Sequence, residues 1–110
     1  MHHEVREEGG AVIVAFEGEI DLEHSPKARE VLLECVGRAR PVLVDLSGVE
    51  YIDSSGVASL VEALQQAKGG GSSLALASVS PSAMRVLELA RLDKVFTIIA
   101  SVAEGLDGGS

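Results

Sequence analysis

The chain has 110 residues, of which 46% are apolar and 24% charged, the size and composition of one globular domain. Asp plus Glu number 17 against 9 for Lys plus Arg, and the net charge of −8 argues against nucleic acid or direct membrane binding. No secretory signal or apolar span is visible, so we expect a cytoplasmic protein. The single cysteine, Cys35, is expected to be a small buried apolar residue.

The first half of the chain predicts two strands, a helix and a third strand. An edge strand at about 4–8 turns through two glycines into a buried strand over 11–16. Ser25 and Pro26 have the pattern of an N-cap and a first helical residue, and the helix they begin should end near 37–40. Its apolar positions follow the helical period: Ala28, Val31, Leu32, Cys35 and Val36. A strand over 42–46 follows, and 47–52 are expected to cross over to the next helix.

The second half alternates helices with strands. A helix opens near Asp53 and ends at the glycines 69–71, a strand occupies 73–79, and Ser80 with Pro81 begins a helix that runs to about 92. A last strand at 95–99 and a short helix at 101–106 complete the order β-β-α-β-α-β-α-β-α. Helices between strands require parallel crossovers. We therefore predict an α/β single domain over 1–110, with helices packed on a mixed, mainly parallel sheet of about five strands. Its core should span about 5–106, and 107–110 should form a flexible tail.

Residues suited to catalysis are scarce. Apart from the N-terminal pair, the only histidine is His24, and no Gly-x-Ser-x-Gly motif indicates a serine hydrolase. The histidines and the cysteine lack the spacing of a metal-ligand set. The glycines 69–71 lack the Lys-Ser/Thr that completes a phosphate loop. We therefore predict no catalytic residues, no metal and no cofactor.

The segment Asp53-Ser54-Ser55-Gly56 has two interpretations. Asp and Ser are favoured N-caps, and the frequency of such caps supports a purely structural role. Gly56, however, has a low helix propensity that a structural first turn would avoid. The alternative is an accessible helix start that another protein contacts, where a phosphoryl group would lie near the positive end of the helix dipole. The residues by themselves leave both interpretations open.

A longer segment resembles a known family. Residues 42–57, VLVDLSGVEYIDSSGV, are similar to the signature of STAS domains, specifically of anti-sigma factor antagonists. Gly18-Glu19-Ile20-Asp21 resembles the turn that follows the second strand in that family, which lies beside the serine loop. Residues 80–96 resemble its last helix and strand. The resemblance covers about 5–106, nearly the whole chain.

This resemblance implies a regulatory switch. The first serine of the pair, Ser54, would be phosphorylated by a partner that is both an anti-sigma factor and a serine kinase. The unphosphorylated protein would bind that partner and so release a sigma factor, and a serine phosphatase would reset the switch. The chain would be a substrate and not an enzyme. The helical period places Ala58, Ser59, Glu62 and Gln65 on an outward face. The partner-binding residues predicted from the resemblance and this face are Glu19, Asp21, Asp53, Ser54, Ser55, Gly56, Ala58, Ser59 and Glu62.

Two alternatives stay open. STAS domains also serve as subunits of transporters, including a lipid-transport type, and of stress-signalling complexes. The lipid-transport version often lacks the serine pair, so Asp53-Ser54-Ser55 favours the signalling branch. Within the pair, Ser55 is either a capping residue, which is the safer interpretation, or an alternative phosphorylation site. Nucleotide binding by the chain itself finds no support in its glycine pattern.

Overall fold

The five strands found among the described residues form one sheet and lie in it in chain order. In the computed structural model, which describes residues 1–108, they are β1 (His2–Glu8), β2 (Ala11–Ile20), β3 (Val42–Ile52), β4 (Leu74–Ala77) and β5 (Thr97–Ile99). β1 pairs antiparallel with β2, and the other neighbours pair parallel. Gly9 and Gly10 make the β1–β2 turn, and both adopt the positive φ that glycine tolerates best. The predicted mixed, mainly parallel sheet is confirmed.

Four helices alternate with the parallel strands in the described part of the chain: α1 (Ser25–Val36), α2 (Ser54–Gly69), α3 (Pro81–Leu89) and α4 (Val102–Gly108). The helices α1, α2 and α3 bury their apolar positions in one core with alternate side chains of the sheet, such as Phe16 and Leu46. The intervening side chains point to the opposite face, where Ile13 packs near Leu106 of α4. Among the described residues, no helix is both long enough and apolar enough to cross a membrane.

Strands β2 and β3 are longer than the sequence predicted. The prediction ended them at 16 and 46, whereas their pairing continues until Ile20 lies opposite Ile52. Two irregularities in the ladder accommodate the polar residues of this extension. Gly48 packs closely on β2, because a Cβ at this position would lie 2.7 Å from Cγ of Glu17 and the exposed Glu17 side chain would have to move. The expected crossover at 47–52 is therefore wrong, and the extension carries the ends of both strands to one place.

The N-cap of α1 is His24, and the predicted cap, Ser25, is the first residue of the helix and is buried. The carbonyl oxygen of Asp21 accepts hydrogen bonds from the backbone N–H groups of His24 (3.1 Å) and Ser25 (2.7 Å). This preceding turn satisfies N–H groups at the helix start, so no side-chain cap is required. At α3 the predicted cap is confirmed, because the hydroxyl oxygen of Ser80 accepts from Ala83 N at 3.2 Å.

Several other boundaries also differ from the prediction. Helix α3 ends at Leu89, and β4 and β5 are shorter than the segments 73–79 and 95–99. Helix α4 continues through Asp107 and Gly108, so the predicted tail begins too early. Residues 109 and 110 of that tail lie outside the described residues.

The single cysteine is buried, as the sequence predicted. Cys35 is 0% exposed and lies on the face of α1 that packs into the core. Burial, with the nearby carboxylate of Glu34, raises the pKa of its thiol to about 11. The thiol therefore stays protonated at neutral pH and acts as a small apolar core residue.

Candidate functional site

The serine motif and the Gly18–Asp21 segment meet at the carboxyl ends of β2 and β3. The backbone N–H of Asp53 donates to the carbonyl oxygen of Ile20 at 3.3 Å. Gly56 packs on the same carbonyl, since a Cβ at this position would lie 2.6 Å from that oxygen. The turn after β2 and the first turn of α2 therefore form one continuous surface, where the resemblance implied that they would be neighbours.

Asp53 is the N-cap of α2, and the helix begins at Ser54. One oxygen of its carboxylate, Oδ1, accepts from the backbone N–H groups of Ser55 (2.9 Å) and Gly56 (3.2 Å) and from the hydroxyl of Ser55 (2.5 Å). The hydroxyl bond lowers the pKa of Asp53 most, and the backbone N–H groups of Gly56, Ser55 and Leu22 lower it further against the effect of partial burial. The carboxylate thus has a structural role at the helix start.

The two serines of the motif have different environments. Ser55 is half-buried, and its hydroxyl donates to Asp53. Ser54 is exposed, and its hydroxyl makes no hydrogen bond to any residue that the structure describes. Capping is thus the role of Ser55 that the geometry supports, and Ser54 presents the free hydroxyl of the pair.

The prediction that Ser59 faces outward is wrong. Ser59 is buried at the contact between α1 and α2, where its hydroxyl donates to the carbonyl oxygens of Ser55 (3.1 Å) and Ser25 (3.3 Å). A small serine whose hydroxyl bonds to backbone carbonyls can be buried where two helices lie close together. The helical period of α2 could not predict this, because it contains no information on where α1 packs.

Gly56 is also buried, and this packing explains why glycine occupies the position without any role in binding another protein. In addition to the Ile20 carbonyl, a Cβ on Gly56 would lie 2.7 Å from Cγ1 of Ile52 and 2.8 Å from Cγ2 of Ile20. The interpretation of its low helix propensity as a sign of function is therefore wrong, because the close approach of α2 to β2 requires glycine here.

Helices α1 and α2 leave an open groove of about 390 Å³ beside the motif. Exposed Ala58 lines it, and Arg29 of α1 pairs with Glu62 of α2 along it through two guanidinium–carboxylate hydrogen bonds. Pro26 lines the groove as well. The sequence alone did not indicate that Arg29 and Pro26 line this groove. Arg29 and Glu62 are 33 residues apart, so no local pattern relates them, and the position of Pro26 depends on how α1 packs beside α2.

In the turn after β2, Asp21, one of the predicted partner-binding residues, is bound to His24. Oδ1 of Asp21 accepts from His24 N (3.1 Å) and pairs with His24 Nδ1 (2.7 Å). Partial burial opposes ionisation of Asp21, but these contacts prevail and its pKa is lowered. Asp21, Glu23 and His24 each offer one atom that could bind a metal ion, and these atoms lie within 4.8 Å of one another. Among the described residues, these three form the group whose spacing could hold a cation. Asp21 and His24 already bind each other, so the closeness of these side chains is explained by the hydrogen bonds that close the turn, and no metal ion is needed to account for it.

Ionisation of Asp53 is expected to contribute to stability above pH 4. Because its pKa in the folded protein lies below the ordinary value of 3.8, the stabilisation is complete above that value and is lost as the pH falls through the folded pKa. Asp53→Ala should cost about 0.5–2 kcal/mol at pH 7 through loss of the cap. Asp53→Asn keeps a cap, so it should lose less at pH 7 and show a flatter acid limb. Urea unfolding followed by circular dichroism between pH 2.5 and 7 tests both, and an unchanged acid limb in Asp53→Asn would contradict this.

The strands and the serine-bearing helix start define a small α/β domain, and at that helix start the exposed hydroxyl of Ser54 has no hydrogen-bond partner among the described residues. The sequence profile of the STAS domain matches residues 2–105. The chain therefore belongs to the STAS domain family.

Relatives and solved structures agree with this assignment. The anti-sigma-B factor antagonist of Bacillus subtilis (strain 168) is 27% identical over 103 residues, covering 94% of this chain and 94% of the relative. The structure of an anti-sigma-factor antagonist (STAS) domain protein from Planctomyces limnophilus has a TM-score of 0.87 and 26% identity, covering 96% of both chains. The Bacillus cell fate determinant SpoIIAA in its phosphorylated form has a TM-score of 0.76 over 99% of this chain and 100% of that chain. At 16% identity, SpoIIAA shows the fold alone.

Proposed function

We propose that this protein is an anti-sigma factor antagonist that is switched off by phosphorylation of Ser54. The observation that carries the proposal is the exposed hydroxyl of Ser54, which has no hydrogen-bond partner within residues 1–108. The name of the Bacillus subtilis relative supports the function, and the phosphorylated structure of SpoIIAA supports the compatibility of this fold with phosphate. The unphosphorylated form binds an anti-sigma factor that is also a serine kinase, and a sigma factor is thereby released.

The charge of the phosphate explains why the modification acts on binding and not on folding. A phosphoserine adds about −1.5 to −2 charge, next to Asp53 and on a chain that already carries −8. Within the domain the group lies at the N-terminus of α2, where the helix dipole favours an anion. At an interface the same dianion must lose its water, which is costly unless a cation faces it. Phosphorylation therefore blocks docking while the domain stays folded.

The chain is the substrate of this chemistry. The hydroxyl oxygen of Ser54 attacks the γ-phosphorus of ATP held by the kinase, its proton leaves, and ADP departs. The partner supplies the nucleotide and the base, and this chain supplies an accessible nucleophile. A serine phosphatase later hydrolyses the phosphoester. The proposal places the protein in the cytoplasm, where sigma factors act.

The docking surface that we propose surrounds Ser54. Glu19 and Ala58 contribute exposed side chains, and Asp21 and Glu62 contribute partly exposed carboxylates. Gly56 and Ser59, which are buried, support this surface from behind by allowing α2 to approach β2 and α1 closely.

Phosphate is expected on Ser54 after incubation with the cognate kinase and ATP. Peptide mass spectrometry locates the modified residue. Ser54→Ala should remove the signal, whereas Ser55→Ala should keep it, because Ser55 loses only a capping bond. Phosphate on Ser55 alone, or on neither serine, would contradict the proposal and favour the alternative of a constitutive STAS assembly subunit.

A further inference from the structure

Leu22 is an exposed apolar side chain next to the serine motif. It is 75% exposed and lies in the turn between β2 and α1. The preceding strand residue, Ile20, contacts both Asp53 and Gly56, so the turn stands directly beside the start of α2. Leu89 on α3 is similarly exposed, at 79%, but belongs to no part of this surface. Isolated exposed leucines are common, so Leu22 is distinguished by its surroundings and not by its exposure.

The turn that carries Leu22 is held in place. The carbonyl oxygen of Asp21 accepts from two backbone N–H groups, and its carboxylate binds both the backbone and the ring of His24. These four contacts close the turn immediately around Leu22. A side chain on a rigid turn binds with a small loss of conformational entropy, which is the property of an anchor residue.

Acidic side chains flank this leucine. Asp21 and Glu23 are its neighbours in the chain. Glu19 lies at the end of β2, and Asp53 is the N-cap of α2. The nearest cations along α1 are already paired, Lys27 with Glu30 at 3.8 Å and Arg29 with Glu62. An exposed apolar group within an acidic rim is complementary to an apolar pocket bordered by lysine or arginine.

We propose that Leu22 is the apolar anchor of the docking surface and enters a pocket with a basic rim on the anti-sigma factor. This inference rests on the proposed function, since it names the contact through which that partner is held. Pro26, four residues further along the chain, lines the α1–α2 groove and extends the contact toward Ala58.

Leu22→Ala and the matched control Leu89→Ala test the anchor by calorimetric titration with the purified cognate anti-sigma factor. We expect Leu22→Ala to weaken binding by about tenfold or more, as a central apolar contact does, and Leu89→Ala to bind as the wild type does. Both melting curves should match the wild type, because both side chains are exposed. In the kinase reaction, Leu22→Ala should raise KM for this protein and leave kcat unchanged.

Glu23→Gln tests the basic rim. Long-range attraction between an acidic turn and a basic rim speeds association and is weakened by salt. We expect Glu23→Gln to slow association at low salt and to reduce the dependence of the association rate on salt. An unchanged association rate in Glu23→Gln would remove the basic rim from the proposal.

Other outcomes separate the anchor from the function. If the wild type binds the anti-sigma factor and Leu22→Ala binds equally well, the anchor is wrong and the proposed function stands. If the wild type does not bind any anti-sigma factor, the proposed function fails and the anchor falls with it. If sedimentation shows a dimer of this chain that Leu22→Ala dissociates, the occupant is a second copy, and the inference is overturned.

Discussion

Ser54→Asp is expected to weaken binding to the anti-sigma factor by about a hundredfold or more while the domain stays folded. Aspartate at a helix start is compatible with the helix dipole, so the free energy of unfolding should change by no more than about 1 kcal/mol. At the interface the added carboxylate must lose water, and the basic rim proposed for the partner already faces the native acidic side chains around Leu22, so no further cation matches the new group. This costs several kcal/mol when the carboxylate is fully buried. Each 1.4 kcal/mol corresponds to about tenfold in affinity. Calorimetric titration with parallel melting curves measures the two effects separately.

Ser54→Ala and Ser82→Asp are the controls for this experiment. Ser54→Ala removes a hydroxyl that has no partner among the described residues, so it should bind like the wild type and resist phosphorylation. Ser82 is exposed in the first turn of α3, which makes Ser82→Asp the same change of charge at another helix start. It should bind nearly as the wild type does. Tight binding of Ser54→Asp would place Ser54 outside the interface, and the charge switch would have to be abandoned.

Gly56→Ala is expected to destabilise the domain by about 2 kcal/mol. The new methyl group would lie 2.6 Å from the backbone carbonyl oxygen of Ile20, which is held in the β2–β3 pairing and cannot move as a flexible side chain does. Overpacking of this kind costs about 1–3 kcal/mol, and alanine recovers up to about 1 kcal/mol of that through its higher helix propensity. Urea unfolding followed by circular dichroism gives the free energy, since the chain contains no tryptophan.

Gly69→Ala is the matched control in the same helix. A Cβ on Gly69 meets no atom within 4 Å, so the substitution adds helix propensity without a clash. We expect it to leave stability unchanged or to raise it by up to about 1 kcal/mol. Equal stability of Gly56→Ala and the wild type would mean that the turn after β2 yields to the added methyl group, and that glycine is not required there.

Local patterns predicted the elements whose signals lie within a few residues. The apolar spacing of α1 and the Ser80–Pro81 start of α3 each depend on contacts one helical turn apart. The β1–β2 hairpin follows from two adjacent glycines in the same way. The extension of β2 and β3 to Ile20 and Ile52 was missed, because residues 17–19 of β2 are polar or glycine and because beyond 46 the side chains of β3 no longer alternate regularly. Only the partner strand keeps the backbone extended there.

The same division applies to the site. The motif of residues 53–56 was visible in the sequence, as was a helix beginning there with an acidic or hydroxyl cap. The burial of Ser59 and the pairing of Arg29 with Glu62 were not, because each depends on how α1 packs against α2. Leu22 is an ordinary loop residue in the sequence, and it becomes notable when the turn closes beside the start of α2.

The sequence by itself determined the α/β order of elements, the family and the pair of serines that contains the proposed phosphorylation site. Tertiary structure alone decided what surrounds Ser54. The cap between Asp53 and Ser55 joins residues two apart, whereas the pairing of β2 with β3 brings the turn after β2 beside the start of α2, and the packing of α1 on α2 buries Ser59. Strand and helix signals are local because they arise from the periodicity of one segment. The availability of a side chain depends on contacts between segments that are distant in the chain, so it appears only in the folded domain.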